Sequence, residues 1–92
     1  MTQFRFNETL GRYELAEQGG VIFADIRRDG QRIFIDHVET PLALRGQGAA
    51  GRLMAAIAAL AEREGLSLVP ICPYAAAWMR RHPARQPGLD RN

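Results

Sequence analysis

Three glycines, Gly46, Gly48 and Gly51, fall within the segment Leu44-Arg45-Gly46-Gln47-Gly48-Ala49-Ala50-Gly51-Arg52-Leu53-Met54. They stand between a strand-like run and a long alanine-rich stretch with helical spacing. Glycine has no Cβ, so backbone N–H groups at such a junction can turn toward a ligand. The first N–H groups of a helix have no partner inside it, and the helix dipole adds positive potential there. Together they make a site for a phosphate or pyrophosphate. The pattern lacks the lysine of a P-loop. It also lacks the early parallel strand and the well-placed acidic residue of a dinucleotide fold.

Cys72 is the only cysteine, so no internal disulfide forms. It lies between a short apolar run and Pro73, at the entrance to a second helix. A helix N-terminus favours the thiolate, the reactive form of the side chain. The alternative is a buried, inert cysteine, which packs as a small hydrophobe. His37 is suited to act as a general base, or to orient a water or thiol; the alternative is a structural histidine hydrogen-bonded at a sheet. Asp36 and Glu39 flank it. Glu39 is a second base candidate or a solvated strand-end charge. His82, before Pro83, reads as the cap of the last helix. Trp78 and Met79 read as core or as a partner-facing patch, which leaves room for a weak homodimer.

These groups need elements to hold them. Residues 4–7 suggest a short strand, and residues 11–16 alternate, with Tyr13 and Leu15 on one face and Arg12 and Glu14 on the other. Val21 to Arg28 and Arg32 to Thr40 are β-rich runs, and Asp29-Gly30 between them signals a hairpin. An antiparallel meander results. Helical spacing of Leu53, Ile57, Leu60 and Ala61 predicts a helix from about Gln47 to Arg63, which Gly65 stops. Leu66 to Ile71 is a short buried strand, expected to pair in parallel with the strand before the helix. Pro73 fits the first position of a helix over Tyr74 to Arg81. Residues 1–83 form one domain, and 84–92 a polar tail.

The chain has 92 residues, which limits it to one small domain. Its net charge is only +2, with no basic run longer than a pair, so nucleic-acid binding is a weak reading. All twelve basic residues are arginine; no lysine is present to act as base, Schiff-base former or acetyl acceptor. The longest apolar run, Leu53 to Ala61, is too short to cross a bilayer, and the N-terminus has no signal-peptide core. A cytoplasmic protein is expected.

The glycine segment resembles motif A of the GNAT N-acetyltransferases, Gln/Arg-x-x-Gly-x-Gly/Ala, with Arg45 at the first position, Gly48 at the fourth and Ala50 at the sixth. The second segment, Val69-Pro70-Ile71-Cys72-Pro73-Tyr74 followed by Trp78 and Arg81-His82-Pro83, resembles the small single-domain GNAT-like proteins. So does His37 in Ile35-Asp36-His37-Val38. The resemblance covers roughly Tyr13 to Pro83. It implies a minimal GNAT-like α/β fold: a meander, the motif-A helix, a parallel strand and a short C-terminal helix. It implies acetyl-CoA as cofactor, its pyrophosphate held by Arg45, Gly46, Gln47, Gly48, Ala49, Ala50 and Gly51. It further implies acyl transfer to an unidentified amine, with Cys72 and His37 acting on the thioester and Cys72 as a candidate acyl carrier. Tyr74 is then either a proton donor to the leaving thiolate or a packed aromatic. The rival readings are a non-catalytic acyl-CoA-binding module and a partner-binding domain. The chain has no room for the N-terminal helices that help form an acceptor pocket in larger GNATs.

Overall fold

A computed structural model describes residues 3–82; the expected tail at 84–92, and Pro83 before it, lie outside the described residues. Apolar residues spaced by two form the strands β1 (Gln3–Asn7), β2 (Arg12–Glu17), β3 (Gly20–Asp29) and β4 (Arg32–Glu39). Apolar residues spaced by three and four form α1 (Ala49–Glu64). The short strand β5 (Ser67–Pro70) and α2 (Pro73–Arg81) follow. The sheet order is β1-β2-β3-β4-β5, antiparallel throughout except for the parallel β4–β5 pair. The hairpin between β3 and β4 closes at Asp29↔Arg32, so its loop residues are Gly30 and Gln31, one position later than the Asp29-Gly30 signal suggests.

One face of the sheet carries the core. Tyr13 and Leu15 of β2 stand opposite Ala24 and Ile22 of β3, and Ile33 and Ile35 of β4 pair with Leu68 and Pro70 of β5. Leu53, Met54, Ile57 and Ala61 of α1, and Ala75, Trp78 and Met79 of α2, pack on that face in a single cluster. Trp78 and Met79 thus belong to the protein's own core. Pro73 occupies the first turn of α2, where a missing N–H costs nothing. Gly65 caps α1 with its N–H donating to the carbonyls of Ala61 and Glu62.

The other sheet face carries Arg5, Glu14, Phe23, Arg27, Phe34, Asp36, His37 and Glu39, and no helix among the described residues covers it. The two-residue alternation of β4 breaks on the way there. A β-bulge sets Ile35 and His37, with Asp36 between them, against the adjacent residues Ile26 and Asp25. Ile33 and Ile35 face the core, and after the bulge Val38 does so instead of His37. Continued alternation from Ile33 and Ile35 would have buried His37; the extra residue turns it to the open face.

Candidate functional site

The turn between β4 and α1 is built from glycine conformations. Gly46 has φ 78° and Gly48 φ 75°, both in the left-handed region that other residues rarely adopt. Those two positions delay the helix, which starts at Ala49 rather than the expected Gln47, with Gly48 as its N-cap. No side chain caps this end, and no acidic residue lies in the first turn. A Cβ on Gly46 would meet nothing within 4 Å, so the backbone there is bare.

Arg45, Gly46, Gly48, Ala49, Ala50 and Gly51 come together around one cleft of about 250 Å³, with Thr40, Leu44 and Tyr74 completing its wall. Gln47 does not line it; its amide nitrogen donates to the Ala43 carbonyl at 3.0 Å. A second cleft of about 490 Å³ continues past Gly48, Gly51 and Tyr74 to Arg52, Ala55, Trp78, Arg81 and His82. His82 stacks on Trp78 with ring centroids 4.2 Å apart, and its Nδ1 bonds the Trp78 carbonyl at 2.8 Å, which anchors the end of α2.

Beside the first cleft the sheet parts. The parallel ladder ends at Ile35↔Pro70, although β4 runs on to Glu39. The Ile35 carbonyl accepts from both Ile71 N–H at 3.0 Å and Cys72 N–H at 2.9 Å, and this turns the chain out of the sheet into α2. Backbone of β4 beyond Ile35 therefore has β3 on one side and, among the described residues, no strand on the other.

Cys72 lies at this parting as the N-cap of α2, on the core side and only 7% exposed. His37 lies on the open face. The structure does not bring the two side chains onto one face, and neither lines the clefts described above. Instead His37 belongs to a polar chain that the sequence spacing only hinted at. Its Nε2 lies 2.9 Å from Glu39 Oε1, and Arg45 Nη2 lies 3.4 Å from Glu39 Oε2. The hydrogen bond from His37, then the nearby charges of His37 and Arg45, hold the Glu39 carboxyl below its usual pKa. A carboxylate accepts only, so the Nε2–H of His37 is the donor to Glu39, and Nδ1 is an acceptor whenever the ring is neutral. Arg45 Nε also donates to the Thr40 carbonyl at 3.1 Å, which ties the first residue of the glycine motif back to the end of β4. Tyr74 on α2 is exposed along one side, and the partial desolvation of its hydroxyl raises its pKa, so the hydroxyl keeps its proton at neutral pH.

Sequence reasoning missed one further group. Arg52 forms a bidentate pair with Glu17, both contacts at 2.8 Å, and donates a third bond to the Gln47 carbonyl at 2.8 Å. Nothing in the local sequence links residues 35 positions apart.

Comparison with known proteins bears on the family and the fold. A family model described as GCN5-related N-acetyl-transferase matches residues 12–87. The fold is similar to the NMR solution structure of a GCN5-like protein from Staphylococcus aureus, with a TM-score of 0.72 at 22% identity over 98% of this chain and 92% of that one. No curated protein sequence matches it. By the extent of the family match, the chain belongs to the GCN5-related N-acetyltransferases.

Proposed function

From membership of the GCN5-related N-acetyltransferase family, we propose that this protein transfers the acetyl group of acetyl-CoA to an amine. The observation that carries the reading is the uncapped, left-handed glycine turn at the start of α1. No side chain caps its amides, no acidic residue stands in the first turn, and Arg45 at its entry lines the same cleft. That donor set fits a pyrophosphate. The cleft beside it leads from Thr40, at the end of β4, to Tyr74 on α2, which suits the rest of a long, thin cofactor.

Bound acetyl-CoA would supply a thioester carbonyl carbon open to attack by an amine. The chain's own part is to orient, to remove one proton and to return one. Backbone of β4 beyond Ile35, free of β5, is suited to hold the pantetheine arm and polarise the carbonyl. His37 Nδ1, with its ring fixed by Glu39, is suited to take the proton of an amine arriving over the open face. Tyr74 Oη, protonated at neutral pH, is suited to return a proton to the departing sulfur. Cys72, at the parting of the strands, is the alternative first acceptor of the acetyl group.

The test is calorimetric titration with acetyl-CoA together with thiol release in the presence of supplied amines. Wild type is expected to bind and release thiol, and a folded Gly48→Val variant to lose binding. His37→Gln is expected to keep affinity and lose thiol release by about 10²-fold or more, the range of a general base. Binding without thiol release from any amine would make the protein a non-catalytic acyl-CoA module. Cys72→Ala separates the routes: retained turnover means direct transfer, whereas a hydroxylamine-labile acetyl adduct on wild type alone means a cysteine carrier.

A further inference from the structure

We infer that the Glu17–Arg52 pair is a positioning device that aims the Gly48 amide into the cofactor cleft. The inference rests on the pyrophosphate reading of the glycine turn given above.

Arg52 sits in the first turn of α1 and uses all three guanidinium nitrogens. Nε and Nη2 grip the two oxygens of Glu17, and Nη1 donates to the Gln47 carbonyl, each at 2.8 Å. A cation in the first turn of a helix is opposed by the helix dipole, so its presence there needs a compensating partner. Glu17 supplies one. It ends β2, is paired across the hairpin with Gly20, and its side chain is only 10% exposed. The carboxylate is thus carried by the sheet, and the pair links the end of β2 to the glycine turn.

The turn needs such a link. The Gln47–Gly48 peptide is flanked on its C-terminal side by a residue that accepts either sign of φ. Rotation of that peptide plane is therefore cheap locally, and two directions for its groups compete. The plane is rigid and trans, so the Gln47 oxygen and the Gly48 N–H point opposite ways. Pinning the oxygen against Arg52 aims the N–H away from Arg52. The same bond keeps a carbonyl oxygen from facing an anion. The arrangement thus selects the turn conformation that presents a donor, before any ligand arrives, which is where affinity is gained by preorganisation.

Two conservative variants test this. Arg52→Lys keeps the charge, but one ammonium cannot span both Glu17 oxygens and the Gln47 carbonyl. Glu17→Gln keeps the shape and removes the charge that steers the guanidinium. CoA affinity is read by calorimetry well below each variant's melting temperature, and the Gly48 amide by ¹⁵N NMR without ligand. The expected result is a loss of CoA affinity of about fivefold or more in both variants, with a shifted or broadened Gly48 amide resonance. A merely structural ion pair would lower melting temperature and leave both readouts of the folded protein unchanged. Wild-type affinity in either folded variant overturns the inference. So does tighter binding in Glu17→Gln, which would make Arg52 a phosphate ligand that Glu17 restrains. If wild type itself does not bind CoA, the cofactor reading falls, and an unmoved Gly48 resonance in both variants would separately overturn the clamp.

Discussion

At the scale of single residues, Glu14 has the largest electrostatic consequence outside the glycine turn. It is only 3% exposed, yet it lies on the sheet face that no described helix covers. Its cover is polar: Arg12 Nε at 2.8 Å, Arg5 Nε at 2.9 Å and Asn7 Nδ2 at 3.0 Å all donate to it. Arg12 in turn lies 4.0 Å over the Phe23 ring. The hydrogen bonds from Arg12 and Asn7 dominate, and with that from Arg5 they outweigh desolvation and hold the carboxyl at about 2. A pKa depressed by folding gives stability that is present above the unfolded value and is lost as pH falls through the folded value. Stability from Glu14 should therefore be full above about pH 4.5 and drain away toward pH 2. In urea unfolding at pH 7, Glu14→Gln should cost about 1.5–3 kcal/mol relative to wild type, the range for bonds to a charged group. The gap should close near pH 2. A gap that stays constant with pH would mean that the carboxylate charge is not what the arginines stabilise. Simple alternation put Glu14 with Arg12 and opposite Tyr13, but the arginine cage required the register Arg5↔Glu14 between β1 and β2.

At the scale of elements, the packing of α1 against α2 turns on Gly51. A Cβ there would lie 3.5 Å from Trp78 Nε1 and 3.7 Å from Tyr74 Oη, which is ordinary contact. The φ of Gly51 is not in the left-handed region, so alanine can adopt it without strain. Glycine within a helix costs about 0.5–1 kcal/mol relative to alanine. Gly51→Ala should therefore stabilise the fold by about that amount, read as a higher denaturant midpoint. CoA affinity should fall at the same time, because the new methyl enters the wall shared by both clefts. Loss of stability would mean that the helices approach too closely for the methyl. The bulge in β4 is the other decisive element. The apolar spacing Ile33, Ile35, Val38 carries its trace, a step of three where two is expected, and the bulge puts His37 beside Phe23 and Glu39 on the open face.

At the scale of the whole molecule, two helices on one face of a sheet give a single core and no reserve. Domains of this size are stable by only about 5–15 kcal/mol. Ile57 is fully buried between α1 and the sheet, and its truncation to alanine should cost about 2–5 kcal/mol. CoA bound only to the native state should return about 2.7 kcal/mol at a concentration one hundred times its dissociation constant. Denaturant midpoints of Ile57→Ala with and without CoA check both figures. A midpoint that CoA does not move, in wild type as in the variant, would mean that it does not bind the native fold. Among the described residues no helix is long and apolar enough to cross a membrane.

The sequence alone determined what local chemistry writes locally. Glycines without Cβ marked the turn, apolar spacing marked strands and helices, Pro73 marked the start of α2, and the order of elements with the motif at Arg45, Gly48 and Ala50 pointed to the family that the match to residues 12–87 identifies. What only the tertiary structure decided depends on residues distant along the chain. The bulge turned His37 away from the helices, so it and Cys72 stand on different faces of the sheet although both flank one site in the sequence. Arg52 met Glu17 because β2 ends beside the start of α1, a proximity created by sheet order and helix packing. Hydrogen bonds and ion pairs of this kind leave no periodic trace, because their geometry is fixed by the backbone of two elements and not by either one.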